Sequence, residues 1–268
     1  MKDKVIVITG ASSGIGKALA FEFAERGAKI VLSARNEEKL IEIALALKTK
    51  GTEVLVVKTD VSVETDCKSL IEKTIAGFGK IDVMINNAGI SMRALFADVD
   101  LNVIRQLMDT NFWGTVYCSK FALPYLLASK GSLVGVSSVA GYKGLPGRPG
   151  YSSSKFAIHG LLEVIRIENM KKGLHVLIAC PGFTTSNIRN VALSKDGSSQ
   201  GETPLNESKL MSAEVVAKKI ADAVNKRRDR IVLTTMGKLT VLLNKFFPSM
   251  MDKMVYNHMA KEPNSPFT

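Results

Sequence analysis

Seven short runs rich in Val, Ile and Leu recur along the chain, at residues 5–8, 29–32, 54–57, 81–85, 133–136, 176–179 and 231–233. Several are apolar throughout rather than alternating, the pattern of strands covered on both faces. Between them lie the stretches 15–26, 37–50, 64–78, 102–129 and 151–171, each long enough for a crossover helix. Strand and helix patterns in regular alternation predict an α/β fold: a doubly wound parallel sheet of about seven strands, with helices on both faces. No internal repeat or Pro/Gly-rich linker divides the first 180 residues, so a single domain is expected.

Composition narrows the class further. At 46% hydrophobic and 23% charged residues, the 268-residue chain can bury a sizeable core, which excludes wholesale disorder and a fibre. Cys67, Cys118 and Cys180 are far apart and show no metal-ligand spacing, so neither a zinc site nor a disulfide framework is expected and a reducing compartment fits. The first apolar run is cut short by Gly10, too early for a signal peptide or a membrane span; a soluble, cytoplasmic protein is the expectation. The net charge of +11 raises nucleic acid or an anionic surface as partners. The charge is spread out, however, and its densest cluster, Lys226-Arg227-Arg228-Asp229-Arg230, reads as a solvated helix end, so no nucleic-acid partner is expected.

Three motifs carry chemistry. After the first strand comes Thr9-Gly10-Ala11-Ser12-Ser13-Gly14-Ile15-Gly16, opening into a helical pattern. Glycines there let backbone approach a pyrophosphate, whose charge is met by amides at a helix N-terminus. The second strand ends Leu32-Ser33-Ala34-Arg35, with no carboxylate to hold a ribose 2′-hydroxyl and with a guanidinium suited to a 2′-phosphate, which favours NADP(H) over NAD(H). Third, Tyr151 and Lys155 are four residues apart at the start of a helical pattern. They therefore share one face, where an ammonium would lower the phenol's pKa toward a usable acid or base.

Taken together and in order, T-G-x-x-x-G-I-G, Asn86-Asn87-Ala88-Gly89, Asn111, Ser138 and Tyr151-x-x-x-Lys155 resemble the classical short-chain dehydrogenase/reductase family over roughly residues 4–186. The resemblance implies a single Rossmann-type domain and an oxidoreductase that moves hydride between a nicotinamide and a carbonyl/alcohol pair. It implies that Tyr151 is the general acid or base, that Lys155 lowers its pKa and bonds the nicotinamide ribose, and that Ser138 bonds the substrate oxygen. Ser138 is preferred to Ser137 because it lies 13 residues before Tyr151. Asn111 would hold a helix irregularity and a water leading to Lys155. The dinucleotide would be bound by Gly10, Ser12, Ser13, Gly14, Ile15, Gly16, Arg35, Asp60, Val61, Asn87, Ala88, Gly89, Tyr151, Lys155, Pro181 and Gly182. Which of Thr184, Thr185 and Ser186 meets the carboxamide stays open, and Asn86 is expected to brace the sheet. His159, His175 and His258 have no metal or triad spacing and read as surface or packing residues, Trp113 as core packing, and Cys180 as a small buried residue near the cofactor.

The segment Lys143 to Gly150, with the residues after Tyr151, is most similar to hydroxysteroid and other lipid-directed reductases. A 3-oxoacyl-thioester reductase and a broad carbonyl reductase remain alternatives. A non-catalytic NADP-binding regulator is a third, disfavoured by the intact Ser138, Tyr151 and Lys155. The family tendency is a homodimer or homotetramer through the fourth and fifth helices. Residues 1–237 form the expected catalytic domain, with a substrate loop at 187–210 that reads as a lid or a plain surface loop. Residues 238–268 form an amphipathic extension, with Leu242, Leu243, Phe246, Phe247, Met250, Met251, Met254 and Val255 on one helical stripe interrupted at Pro248. Burial of that stripe by plain packing is the simplest expectation; lining the cleft and transient contact with lipid surfaces is the functional one.

Overall fold

The computed structural model describes residues 1–185, 188–201, 210–262 and 265. Seven parallel strands form one sheet: β1 (Val5–Thr9), β2 (Lys29–Ala34), β3 (Val54–Lys58), β4 (Val83–Asn86), β5 (Ser132–Val136), β6 (His175–Cys180) and β7 (Arg230–Val232). Their spatial order is β3-β2-β1-β4-β5-β6-β7. The chain therefore winds outward in both directions from the β1/β4 pair, and a crevice opens there at the carboxyl ends of the strands.

Helices α1 (Gly14–Glu25), α2 (Glu37–Lys48) and α7 (Ala213–Asn225) cover one face, where Leu19, Phe23, Leu40, Leu47, Ile220 and Val224 pack against the sheet. Helices α3 (Glu64–Phe78), α5 (Gly114–Ala128) and α6 (Pro149–Asn169) cover the other, through Leu70, Cys118, Leu126, Ile158 and Leu162. Burial from both sides is why β1, β5 and β6 carry no exposed residue. Local chemistry sets the helix ends: Asn36 and Ser212 cap α2 and α7 through their side chains, Pro149 opens α6, and Gly79 ends α3 in the left-handed region.

The stretch 102–129, long enough for a crossover helix, is divided at the irregularity that the resemblance implied around Asn111. It runs as α4 (Leu101–Leu107), a π-helical turn at Met108–Trp113, and α5. The wider turn shifts the register of the residues it contains. Trp113, expected in the core, is turned outward and stacks on Tyr117 with ring centroids 5.6 Å apart.

The extension forms α8 (Thr235–Phe246) and α9 (Pro248–Met259), divided at the proline. Its orientation overturns the packing expectation. Leu242, Phe246, Phe247, Met250 and Met254 stay exposed, and Met251 and Met259 are buried. The polar side is also largely exposed, with two ties to the body: half-buried Asn244 donates to the Tyr142 carbonyl at 3.1 Å, and exposed Asp252 pairs with buried Lys143. These bonds tie the helices to the body while most of the apolar stripe stays toward solvent. Among the described residues, no helix is long and apolar enough to cross a membrane.

Two buried histidines tie the second face together. His159 meets Ser137 Oγ at 2.8 Å, and His175 meets Ser132 Oγ at 2.9 Å and the Arg228 carbonyl at 3.0 Å. Burial holds both below the ordinary histidine value, His159 at about 4. Below about pH 6.5 the unfolded chain therefore binds protons that the folded chain refuses, and stability is lost as pH falls toward 4. Thermal denaturation between pH 7 and 4 should show this loss, with a slope of up to about 1.4 kcal/mol per pH unit for each histidine. His159→Gln should flatten it, and an unchanged slope in that variant would assign the loss to other groups.

Candidate active site

The glycine turn between β1 and α1 forms the floor of the crevice. Gly10 and Gly14 adopt φ of +64° and +51°, a region that L side chains rarely enter. A Cβ at Gly16 would stand 2.2 Å from the Gly10 carbonyl oxygen, so the helix start and the turn meet backbone to backbone. Ser13 precedes α1 without capping it through its side chain, and no acidic residue occupies the first turn. The amides and positive dipole end there suit an anionic group. The cradle thus fits the pyrophosphate of a dinucleotide, with Ser12, Ser13, Gly14, Ile15 and Gly16 along its rim.

Neighbouring strand ends extend this floor. Arg35 lies exposed one residue beyond β2, whose Ser33 carbonyl accepts from the Ala11 amide at 3.0 Å. Asn36, the next residue, is occupied as the α2 cap and accepts from the Lys39 amide at 2.9 Å. After β3, the Asp60 carboxylate takes the Ser62 amide at 3.0 Å and hydroxyl at 2.7 Å, while Val61 fills the space left by Gly114. After β4, Asn87 has a task that the sequence reading missed: its Nδ2 donates to the Thr9 carbonyl at 2.9 Å. Thr9 Oγ1 in return accepts the Asn87 and Ala88 amides, at 3.0 and 3.1 Å. Asn86 braces β4 to α5 through Ser119 at 3.0 Å, as expected.

Asn111 sits fully buried inside the π-helical turn. Its amide exchanges hydrogen bonds with Ile90, accepting from the nitrogen at 2.8 Å and donating to the oxygen at 3.0 Å, and it also donates to Ser154 Oγ at 2.9 Å. The irregular turn thereby grips both the β4 connection and the helix that carries Tyr151. A Cβ at Gly89 would stand 3.1 Å from Asn111 Oδ1 and 3.5 Å from Lys155 Nζ, so these three groups share one wall.

Ser138, Tyr151 and Lys155 meet above that wall. The two candidate serines separate cleanly. Ser137 Oγ turns into the core onto His159, whereas Ser138 accepts from the Ala140 amide at 3.1 Å and lies near enough to Tyr151 to favour its phenolate. Lys155 Nζ lies 5.6 Å from the Tyr151 ring centroid and donates to the Val136 carbonyl at 3.0 Å. Burial pulls Lys155 down to about 8. The expected lowering of the phenol is not what the side chains produce. Burial raises Tyr151 above its ordinary value, and Ser138 and the Arg148 guanidinium only partly counter it. Arg148 was not foreseen from the sequence; it had no spacing signal.

On the opposite side, Pro181 follows β6 and its carbonyl accepts from the Val139 amide at 3.2 Å. Gly182 is closely backed by Thr234, and Thr184 is buried with its hydroxyl on the Gly182 carbonyl at 3.2 Å. Ser186 and part of the 187–210 loop lie outside the described residues. Cys180 is buried near Tyr142 and His159, and burial pushes its thiol up to about 12, which makes it inert. His258 is exposed on α9, its ring 6.4 Å from Phe183.

Comparison with known proteins agrees with this geometry. The family described as short chain dehydrogenase matches residues 4–196. An 11-beta-hydroxysteroid dehydrogenase A of Arachis hypogaea is 38% identical over 261 residues, covering 93% of this chain and 73% of that protein. A short chain dehydrogenase/reductase of Burkholderia phymatum, solved in complex with NAD, superposes with a TM-score of 0.83 at 25% identity, covering 93% of this chain and 95% of that one. An alcohol dehydrogenase of the archaeon Thermococcus sibiricus, complexed with 5-hydroxy-NADP, gives a TM-score of 0.77 at 25% identity, covering 87% and 96%.

Proposed function

The chain belongs to the short chain dehydrogenase family and is an oxidoreductase acting on alcohol or carbonyl groups, and from that membership we propose that it uses NADP(H) on a bulky apolar, steroid- or lipid-like substrate. The observation that carries the reading is the meeting of the Ser138 and Tyr151 hydroxyls beside Lys155, at the strand ends above the glycine cradle. When bound, the nicotinamide supplies or takes the hydride. The chain's own part is to orient and to move a proton. Ser138 donates to the substrate oxygen, and Tyr151 Oη delivers a proton to that oxygen on reduction or withdraws it on oxidation. Lys155 holds the phenol's surroundings positive when protonated.

Arg35 supports NADP(H), since an exposed guanidinium stands where NAD binding calls for a carboxylate. Hydroxysteroid dehydrogenase relatives and the exposed Phe- and Met-bearing face of α8 and α9 support a large apolar substrate taken from a lipid surface. In this reading residues 1–237 are the catalytic domain and 238–268 the surface-contacting extension, with 187–210 as the substrate loop. Three free, buried cysteines accord with the cytoplasm. Exposed Tyr125, Phe156, Val164 and Ile167 on α5 and α6 offer an apolar seam for a homodimer or homotetramer.

Three outcomes test the reading. Tyr151→Phe should lower turnover about 100 to 10,000-fold while dinucleotide binding persists; activity within a few fold of the unaltered protein would overturn the proton-transfer assignment. NADPH should bind more tightly than NADH, and Arg35→Ala should weaken NADPH about 10 to 100-fold with little effect on NADH. Ala34 is better left alone, because it is buried and a carboxylate there would be strained. Finally, Phe246→Ser with Met250→Ser should reduce sedimentation with anionic vesicles and raise the Michaelis constant for large oxo-steroids over small ketones. Unaltered vesicle binding, with a change in oligomeric mass, would instead make this face a subunit contact. Turnover confined to oxoacyl thioesters would favour that alternative substrate class.

A further inference from the structure

Arg148 precedes the helix that carries Tyr151, and only 7% of it is exposed. A guanidinium at that depth requires a partner. The partner comes from the far end of the chain. Past α9, Glu262, itself 8% exposed, receives Arg148 Nη2 on both carboxylate oxygens at 3.2 Å. Arg93, from the connection between β4 and α4, reaches the same carboxylate at 3.4 Å. Met259 Sδ lies 4.0 Å from Arg148 Nη1 and closes the cluster. The buried group thus joins three segments: the connection that follows Asn87, the N-terminus of α6, and the last turn after α9.

We propose that Glu262 is a positioning residue of the active site, clasping Arg148 and Arg93 across the cleft mouth and fixing the net charge that the Tyr151 hydroxyl faces. This rests on the reading of Tyr151 as the proton-transferring group. The charged and titratable groups that face that hydroxyl are Ser138 after β5, Cys180 at the end of β6, Arg189 in the connection beyond it, Arg148 just before α6 and Lys155 one turn on along it. Arg148 favours the phenolate, and Glu262 is the anion that offsets Arg148 and Arg93. Two guanidiniums and one carboxylate carry a net charge of +1. Neutralising Glu262 would leave +2 beside the phenol, and neutralising Arg93 would leave none.

The test is a pH titration of phenolate absorbance in the full-length protein, with the Tyr151→Phe form of each variant subtracted. It needs no turnover, so it fails or succeeds independently of the catalytic assignment. Glu262→Gln should lower the Tyr151 midpoint by about half to one pH unit, Arg93→Met should raise it by a similar amount, and the double variant should return it close to that of the unaltered protein. Glu262→Asp should also restore it. The pH limb of kcat/KM should move in parallel. If Glu262→Gln does not fold, Arg93→Met decides, because it keeps the Arg148–Glu262 pair. A midpoint that stays put in Arg93→Met, or a Glu262→Gln protein that melts lower with its midpoint unmoved, would overturn the proposal and leave the clasp as a purely structural contact.

Discussion

The closeness with which the β1–α1 turn packs against the end of β4 governs the rest of the molecule. A Cβ at Gly10 would come within 2.8 Å of Ala88 Cα, and one at Gly16 within 2.6 Å of Asn87 Nδ2. Any side chain at either glycine would collide with the end of β4, so the turn can sit this close only with glycines there. Thr9 and Asn87 lock it by exchanging hydrogen bonds across the two strands. From that fixed point Ile90 anchors Asn111, Asn111 anchors Ser154, and the helix bearing Tyr151 and Lys155 takes its place. The glycine turn and the Ser138, Tyr151 and Lys155 group are thus two ends of one chain of contacts.

This architecture also explains which parts were legible in the sequence. Strands buried on both faces must be continuously apolar, so the central strands appeared as runs, the half-buried edge strands β3 and β7 kept short apolar stretches, and the Tyr151/Lys155 spacing follows from helical geometry. Glycines in the left-handed region leave a visible mark because few other residues tolerate it. The π-helical turn left no mark in the apolar pattern, and only the family resemblance pointed to an irregularity at Asn111. Its cause is a tertiary one, the bonds from Asn111 to Ile90 and Ser154, and the outward turn of Trp113 goes with it. Arg148, Arg93 and Glu262 were equally silent, since pairing across 114 positions has no periodicity to read.

The extension shows where pattern reasoning fails for a physical reason. An apolar stripe on a helix usually marks the buried face. Here Asn244, Asp252 and Glu262 supply directional bonds to Tyr142, Lys143 and Arg148, and those bonds set the orientation. The rotation they impose leaves Phe246, Phe247 and Met250 outside. Hydrophobicity, being non-directional, does not choose between burial in the same chain and burial against another surface. The polar contacts make that choice.

A buried ion cluster is weak evidence for stability, because desolvation offsets much of the attraction. Its stronger effect is on geometry: a misplaced guanidinium at this depth would lack a partner, so Arg148 and Arg93 tolerate few alternative arrangements around Glu262. The residue after Arg148 is Pro149, whose fixed φ carries that constraint directly into the first turn of α6. The hydroxyl of Tyr151 therefore inherits its position from two independent anchors, the Asn111 network below and the Arg148–Glu262 clasp above. Only the first belongs to the strand-and-helix frame that the apolar runs dictate. The second comes from the chain's own C-terminal segment, which ties the helices bearing the exposed Phe246 and Met250 to the start of the helix that carries Tyr151.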